Sequence, residues 1–348
     1  MGKYQNVGVP AFYVDHLQYL SIIGKLNLVE SDSQISVNEM QKLFYLDPTK
    51  KIDITNKKLF FSLFTQIEDV NVSKFNYCAI LGHNVLDDRK FEISFFGDSI
   101  ASQLKNDIAD GINTIQEYTG FSLFEFNLTN PSQWTGNNNS STKRFSFFCD
   151  RAKNVLPDGT IEIVEDQTPK YLNSVSMGTK YVMPHSPDLD LTMTREFGNA
   201  IKQYTKGGAL LTNYNYTQPP VWGDNEPWGL NVQDTNVKLR RAGRRVWDLK
   251  FSYISDSDLM PDTELLTIFP NEQNNNENNY NNVKTANNFF SSFINKTLGG
   301  SLRFIFQPDS NDNNPDGFAI CVLDQDSISI KQITYNTYNI NLRIMEVW

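Results

Sequence analysis

His83 stands in the stretch AILGHNV, residues 79–85, directly after an apolar run, with Gly82 before it and Asn84 after it. A loop histidine can act as a general base. That work needs a nucleophile or substrate within hydrogen-bond reach and a further group to fix the ring tautomer. No GxSxG, SxxK, HExxH or Cys/His pattern accompanies it. The segment runs on into LDDRKFEISFF, so Gly–His–Asn reads as the turn between two strands. Asn and His tolerate left-handed backbone and close turns with their side chains. His83 and Asn84 are therefore expected to hold a loop. Because loops at the ends of a β-sandwich are also where ligands are met, the same pair is the first candidate ligand contact.

Three further stretches invite a chemical reading. His185 lies in MPHSPDLDL with Asp188 and Asp190 following. One imidazole and two carboxylates can ligate a metal, but flanking prolines and alternate spacing fit a strand entry with solvated carboxylates better. Asp312-x-Asn314-x-Asp316-Gly317 matches the first half of a calcium loop. The twelfth position, where a bidentate Glu belongs, is Leu323, so a hairpin turn is expected. LRRAGRR, residues 239–245, is the one dense basic run. Without interleaved aromatics it makes a poor single-strand nucleic-acid groove, and GxGxxG and GxxxxGK[ST] are absent. Complementarity to an acidic neighbouring chain explains it as well. No metal, cofactor or catalytic residue is expected, and the chain is not expected to be an enzyme.

Composition sets the frame for these residues. The 348-residue chain is 39% hydrophobic and 13% aromatic, with 24 Phe and 15 Tyr. It can bury a large core. A formal charge of -9 argues against nucleic acid as a partner. No window approaches 18 uninterrupted apolar residues, and MGKYQNVGVP lacks the apolar core of a secretory signal. Cys78, Cys149 and Cys321 are widely spaced and read as buried thiols made in a reducing cytoplasm.

The elements are mostly strands. RRVWDLKFSYI (244–254) alternates, which places Trp247, Leu249, Phe251 and Tyr253 on one face. LDLTMTREF (189–197) and TYNINLRIMEVW (337–348) alternate too. Shorter strands fit 75–81, 90–96, 144–148, 160–166, 303–307 and 317–323. Helical spacing is confined to DHLQYLSIIGKL (15–26), ended by Gly24, and TANNFFSSFINKTL (285–298), ended by Gly299 and Gly300. Many short strands with polar turns and no strand–helix alternation predict an all-β, mainly antiparallel fold with one or two short helices. The expected organisation is two β-sandwich or jelly-roll-like domains. Residues 1–175 would face ligand or periphery, and residues 176–348 would drive assembly and carry the Asn-rich loop 271–282. Trp222 and Trp228, in the turn-rich QPPVWGDNEPW, with Arg240, Arg241, Arg244 and Arg245, are the candidate subunit interface.

Several pieces resemble virion structural proteins of tailed bacteriophages, especially marine ones. They are MGTKYVMPHSPDLDLTMTRE (177–196), TKGGALLTNYNYTQPPVWG (205–223), the WDLKFSYISDSD block, FINKTLGGSLRFIFQPDSNDNNPDGFAICVLD (293–324) and LRIMEVW (342–348), with YCAILGHNV (77–85) in the first half. The resemblance implies a tail-tip or baseplate subunit similar to distal tail proteins, made in the host cytoplasm and carried in the virion. It implies a cyclic homo-oligomer, with six-fold order, joined to other tail proteins. The alternative is a sugar-binding receptor or adhesin module that meets a host surface glycan.

Overall fold

The computed structural model describes residues 7–29, 34–47, 50–66, 75–84, 91–97, 112–118, 121–126, 142–149, 153–165, 167–196, 200–214, 244–262, 283, 286–314 and 317–347. The fold is all-β and antiparallel. An eleven-stranded sheet dominates. From one edge it runs Thr192–Glu196, Arg244–Ser255, Thr337–Glu346, Ala319–Leu323, Phe304–Gln307, Ala11–Asp15, Ser174–Val182, Tyr77–Leu81, Phe121–Phe126 and Ile112–Tyr118. Ile330–Thr334 pairs with the first half of Thr337–Glu346.

Successive residues of a strand point to opposite faces, and the adjacent Phe12 and Tyr13 head two different cores. On the Phe12 face, Phe12 meets Phe306 and Phe293, with ring centroids 5.3 and 4.4 Å apart. Trp247 lies 5.1 Å from Phe306 although two strands separate theirs. In a flat sheet those strands would stand about 14 Å apart, so the sheet rolls over this face. On the Tyr13 face, Phe121 reaches Phe318 at 5.8 Å across four intervening strands. The sheet therefore rolls the other way there, around Tyr13, Tyr77 and Phe318.

Further along the Phe12 face, a four-stranded sheet covers Cys78, Ile80, Val175 and Met177 with Leu59, Phe61, Phe147 and Cys149. Its strand order is Asn27–Val29, Leu59–Gln66, Thr142–Cys149, Phe91–Gly97. This face-to-face packing is sandwich-like. The helix His16–Ile22 closes one side of it. Its N-cap Asp15 accepts from Leu17 N and Gln18 N at 2.9 and 3.2 Å, and Gly24, at φ 71°, follows its end. The second helical stretch widens to a π turn at Phe290–Ile294 and stops at Gly299 and Gly300, both with positive φ. Its buried stripe is Phe289, Phe293 and Ile294, while Leu298 is exposed.

Two expectations meet a different backbone. Position 175, where a division between modules was expected, falls inside strand Ser174–Val182. That strand is hydrogen-bonded on one side to Ala11–Asp15 and on the other to Tyr77–Leu81. It is a central strand of a shared sheet, not a linker. Tyr253 does not join Trp247, Leu249 and Phe251 on the buried face. A β-bulge between Phe251 and Ile254 puts two residues opposite Asn339, and Tyr253 is 75% exposed.

Candidate binding surface

His83 is fully buried. The turn begins at Gly82, whose φ of 61° suits glycine. The ring Nε2 and Ser122 Oγ lie 3.0 Å apart, tying the loop to the neighbouring strand. Burial pushes the imidazole down to about 3, so the ring is neutral. Asn84 clamps a second segment: its Nδ2 donates to Pro169 O and its Oδ1 accepts from Tyr171 N, both at 2.9 Å. Both residues thus hold the loop to other segments of the chain, and the His83 ring has no face toward solvent.

The residues around His185 do not converge. His185 Nδ1 donates to Ser186 O at 2.7 Å. Asp188 turns toward strand Arg244–Ser255, where it accepts from Ser252 N at 3.3 Å and Ser252 Oγ at 2.7 Å, with Lys250 Nζ 3.6 Å away. Asp190 is exposed. In the 308–317 stretch, Asp312 Oδ1 accepts from the backbone and side-chain amides of Asn314, and Gly317 N donates to Asn314 O. This is a self-bonded turn, and Leu323 is in a strand and buried. Asp316 lies outside the described residues. Among the described residues, no three His, Cys, Asp or Glu side chains stand together as a metal site.

Of the candidate interface, Trp222, Trp228, Arg240, Arg241 and the loop 271–282 lie outside the described residues. Arg245 is turned inward, 4% exposed, and bound to Glu346. It is an internal ion pair rather than a contact offered to another chain. Arg244 is half-buried, with Nη1 3.4 Å from Met345 Sδ. A local run of arginines has the same sequence signature whether its partner is another chain or, as for Arg245, a glutamate 101 positions away.

A surface element that sequence reasoning missed lies close by in the chain. Ala200–Tyr204 and Leu210–Tyr214 form a two-stranded ribbon that pairs with no other strand among those described. Thr205 shapes its tip: Thr205 N donates to Ala209 O, and Thr205 Oγ1 accepts from Ala209 N at 3.0 Å. Gly208, at φ 82°, makes the reversal. Residues 202–211 are exposed throughout, including Tyr204 at 75%, Leu210 at 49% and Leu211 at 57%. Directly opposed residues share a face, so Tyr204 and Leu210 form one apolar pair, and Leu211 stands on the other side. The signal was legible as a glycine turn between two short β-prone runs.

Comparison of the chain with protein-family models, curated proteins and solved structures finds no match. The geometry and the residues themselves therefore carry the functional reading.

Proposed function

We propose that this chain is a structural subunit of a bacteriophage tail tip or baseplate, similar to distal tail proteins, which assembles with copies of itself into a ring and joins other tail proteins. The observation that supports it best is the 200–214 hairpin. An isolated two-stranded ribbon is marginally stable in water. This one adds apolar side chains to both of its exposed faces, an arrangement that gains stability when another surface covers it. The hairpin also carries Lys202 and Lys206 and no carboxylate in residues 200–214, in a chain of net charge -9. Its charge is complementary to the average surface of its own copies. The resemblance of 177–196 and 205–223 to tailed-phage virion proteins brackets the same element.

The test is solution mass across a concentration series, on wild type and on Tyr204→Ser/Leu210→Ser/Leu211→Ser. Wild type should reach a closed multiple of the subunit mass, and the variant should stay monomeric with an unchanged melting temperature. A wild type that remains monomeric at high concentration contradicts the reading.

A further inference from the structure

Strand Arg244–Ser255 has a different exposed surface at each end. At its first end Arg244 pairs with Glu196, and the 200–214 hairpin begins shortly after Glu196. Ala200 stands at most about 14 Å further along the chain. At the far end the strand bulges. Tyr253 takes φ 66°, a left-handed conformation that a bulky residue adopts only under strain. Regular alternation would send its ring into the core beside Phe251, and the bulge turns it outward instead. Arg244 and Tyr253 are about 30 Å apart along the strand.

Two further exposed segments lie beside Tyr253 at that far end. Thr337 is the register partner of Ser255, Asp256 N donates to Asn336 O at 3.0 Å, and Tyr253 N donates to Asn339 Oδ1 at 3.2 Å. Asn336, at φ 54°, makes the reversal that leaves Tyr335 at a hairpin tip, 84% exposed. On the opposite side of the strand Asp188 is bound to Ser252, and the next residue, Leu189, is fully exposed. Exposed Tyr253, Tyr335 and Leu189 thus mark one end of the sheet. The charge there is acidic. Residues 251–262 and 332–342 carry Asp256, Asp258 and Asp262 and no lysine or arginine. Lys250 is matched by Asp188 at 3.6 Å, and Lys331 stands opposite Asn339, so carboxylates outnumber cations.

We propose that this end of the sheet receives the 200–214 hairpin of a second copy, with Asp256 and Asp258 meeting its Lys202 and Lys206, and Tyr253 and Tyr335 meeting its apolar side chains. This pairing rests on the hairpin being an assembly element, and it adds the surface that the hairpin meets. Each surface combines exposed apolar side chains with charge, and the two charges are opposite in sign. Tyrosine at the centre of such a contact is a common source of binding energy. Because the two surfaces belong to opposite ends of one strand, each copy can give its hairpin to one neighbour and receive that of another, a head-to-tail contact that can close into a ring.

The test is carbodiimide cross-linking of the full chain, assembled from a mixture of unlabelled and heavy-isotope-labelled copies, with peptide mass spectrometry. Amide links between Lys202 or Lys206 of one copy and Asp256 or Asp258 of another are expected. A charge exchange provides the second readout. Lys202→Glu/Lys206→Glu and Asp256→Lys/Asp258→Lys should each weaken self-association about tenfold or more. An equimolar mixture of the two variants, in which opposite charges meet again, should recover most of it. Melting temperatures show that each variant is folded. Should Asp256→Lys/Asp258→Lys melt early, Tyr253→Ser/Tyr335→Ser takes its place and should show the same loss. Assembly in which the hairpin lysines link only to other carboxylates, or in which the mixture recovers nothing, overturns the pairing and leaves the hairpin an assembly element. A wild type that stays monomeric at high concentration overturns both.

Discussion

The guanidinium of Arg245 closes on the carboxylate of Glu346, with Nη2 2.8 Å from Oε1 and Nε 3.1 Å from Oε2. Both side chains are 5% exposed. The backbone N of Arg245 also donates to Oε2, Nη2 reaches Phe318 O at 2.9 Å, and the guanidinium lies over the Trp247 ring. One ion pair thus ties three strand ends together. Removing either partner leaves a buried charge without its counterion. Glu346→Gln or Arg245→Met alone should cost about 3–5 kcal/mol in urea unfolding. Arg245→Met/Glu346→Leu together should recover most of that loss. Two singles near wild type would mean that the pair is open to water in solution.

The histidines give a pH signature. His83 is held neutral in the fold, its pKa down at about 3 through burial, and burial lowers His16 as well. In the unfolded chain both titrate near their ordinary value of 6.5. Between those limits the unfolded state binds more protons, so this stability is complete above about pH 6.5 and drains away as pH falls. Asp15 acts in the opposite direction. Burial raises its carboxyl to about 7 from 3.8, so its contribution falls as pH rises through that window. His83→Gln should flatten the dependence of unfolding free energy on pH near 5 by up to one proton. Asp15→Asn, which keeps a capping side chain, should raise stability at pH 8 relative to pH 5. Slopes identical to wild type would show that neither group is buried as described.

Gly178 has no room for a methyl group. A Cβ there would stand well inside contact distance of Val14 O and 2.9 Å from the His16 ring. Gly178→Ala should cost about 3 kcal/mol, at the upper end of ordinary overpacking. Gly207→Ala, in the hairpin tip, would meet nothing nearer than 3.9 Å and should stay within about 0.5 kcal/mol. Thermal melts of the two variants provide the comparison.

Tyr253 tests strain in isolation. Its exposed ring adds little packing, so Tyr253→Gly should release the left-handed penalty and raise stability by about 1 kcal/mol. A loss of stability would mean that the ring is supported by contacts in the fold.

How much of this was legible in the sequence follows from burial. Arg244–Ser255 and Thr337–Glu346 alternate because only one face of each enters the core, and that pattern shows in the residue string. Ser174–Val182 does not show. As a central strand it is covered on both faces, yet SVSMGTKYV looks polar, because its serines are satisfied inside: Ser174 Oγ donates to Leu43 O and Ser176 Oγ meets Tyr77 OH, both at 2.9 Å. Gly178 is there for space. The expected boundary at 175 fell at the start of this strand, where the sheet is continuous. The turn at Gly82–Asn84 was legible from residue type alone, but the burial of His83 depends on Ser122, 39 positions away. The bulge at Tyr253 needs Asn339, 86 positions away, and local alternation carries no trace of it.

The claim that the hairpin is an assembly element is tested most directly by hydrogen exchange at residues 202–211, measured on dilute and on concentrated full-length protein. As a free ribbon its amides should exchange rapidly. The account predicts that they slow by at least about tenfold in the concentrated sample while core strand Tyr77–Leu81 is unchanged. Equal, rapid exchange at both concentrations, with assembled particles present in the concentrated sample, would contradict it.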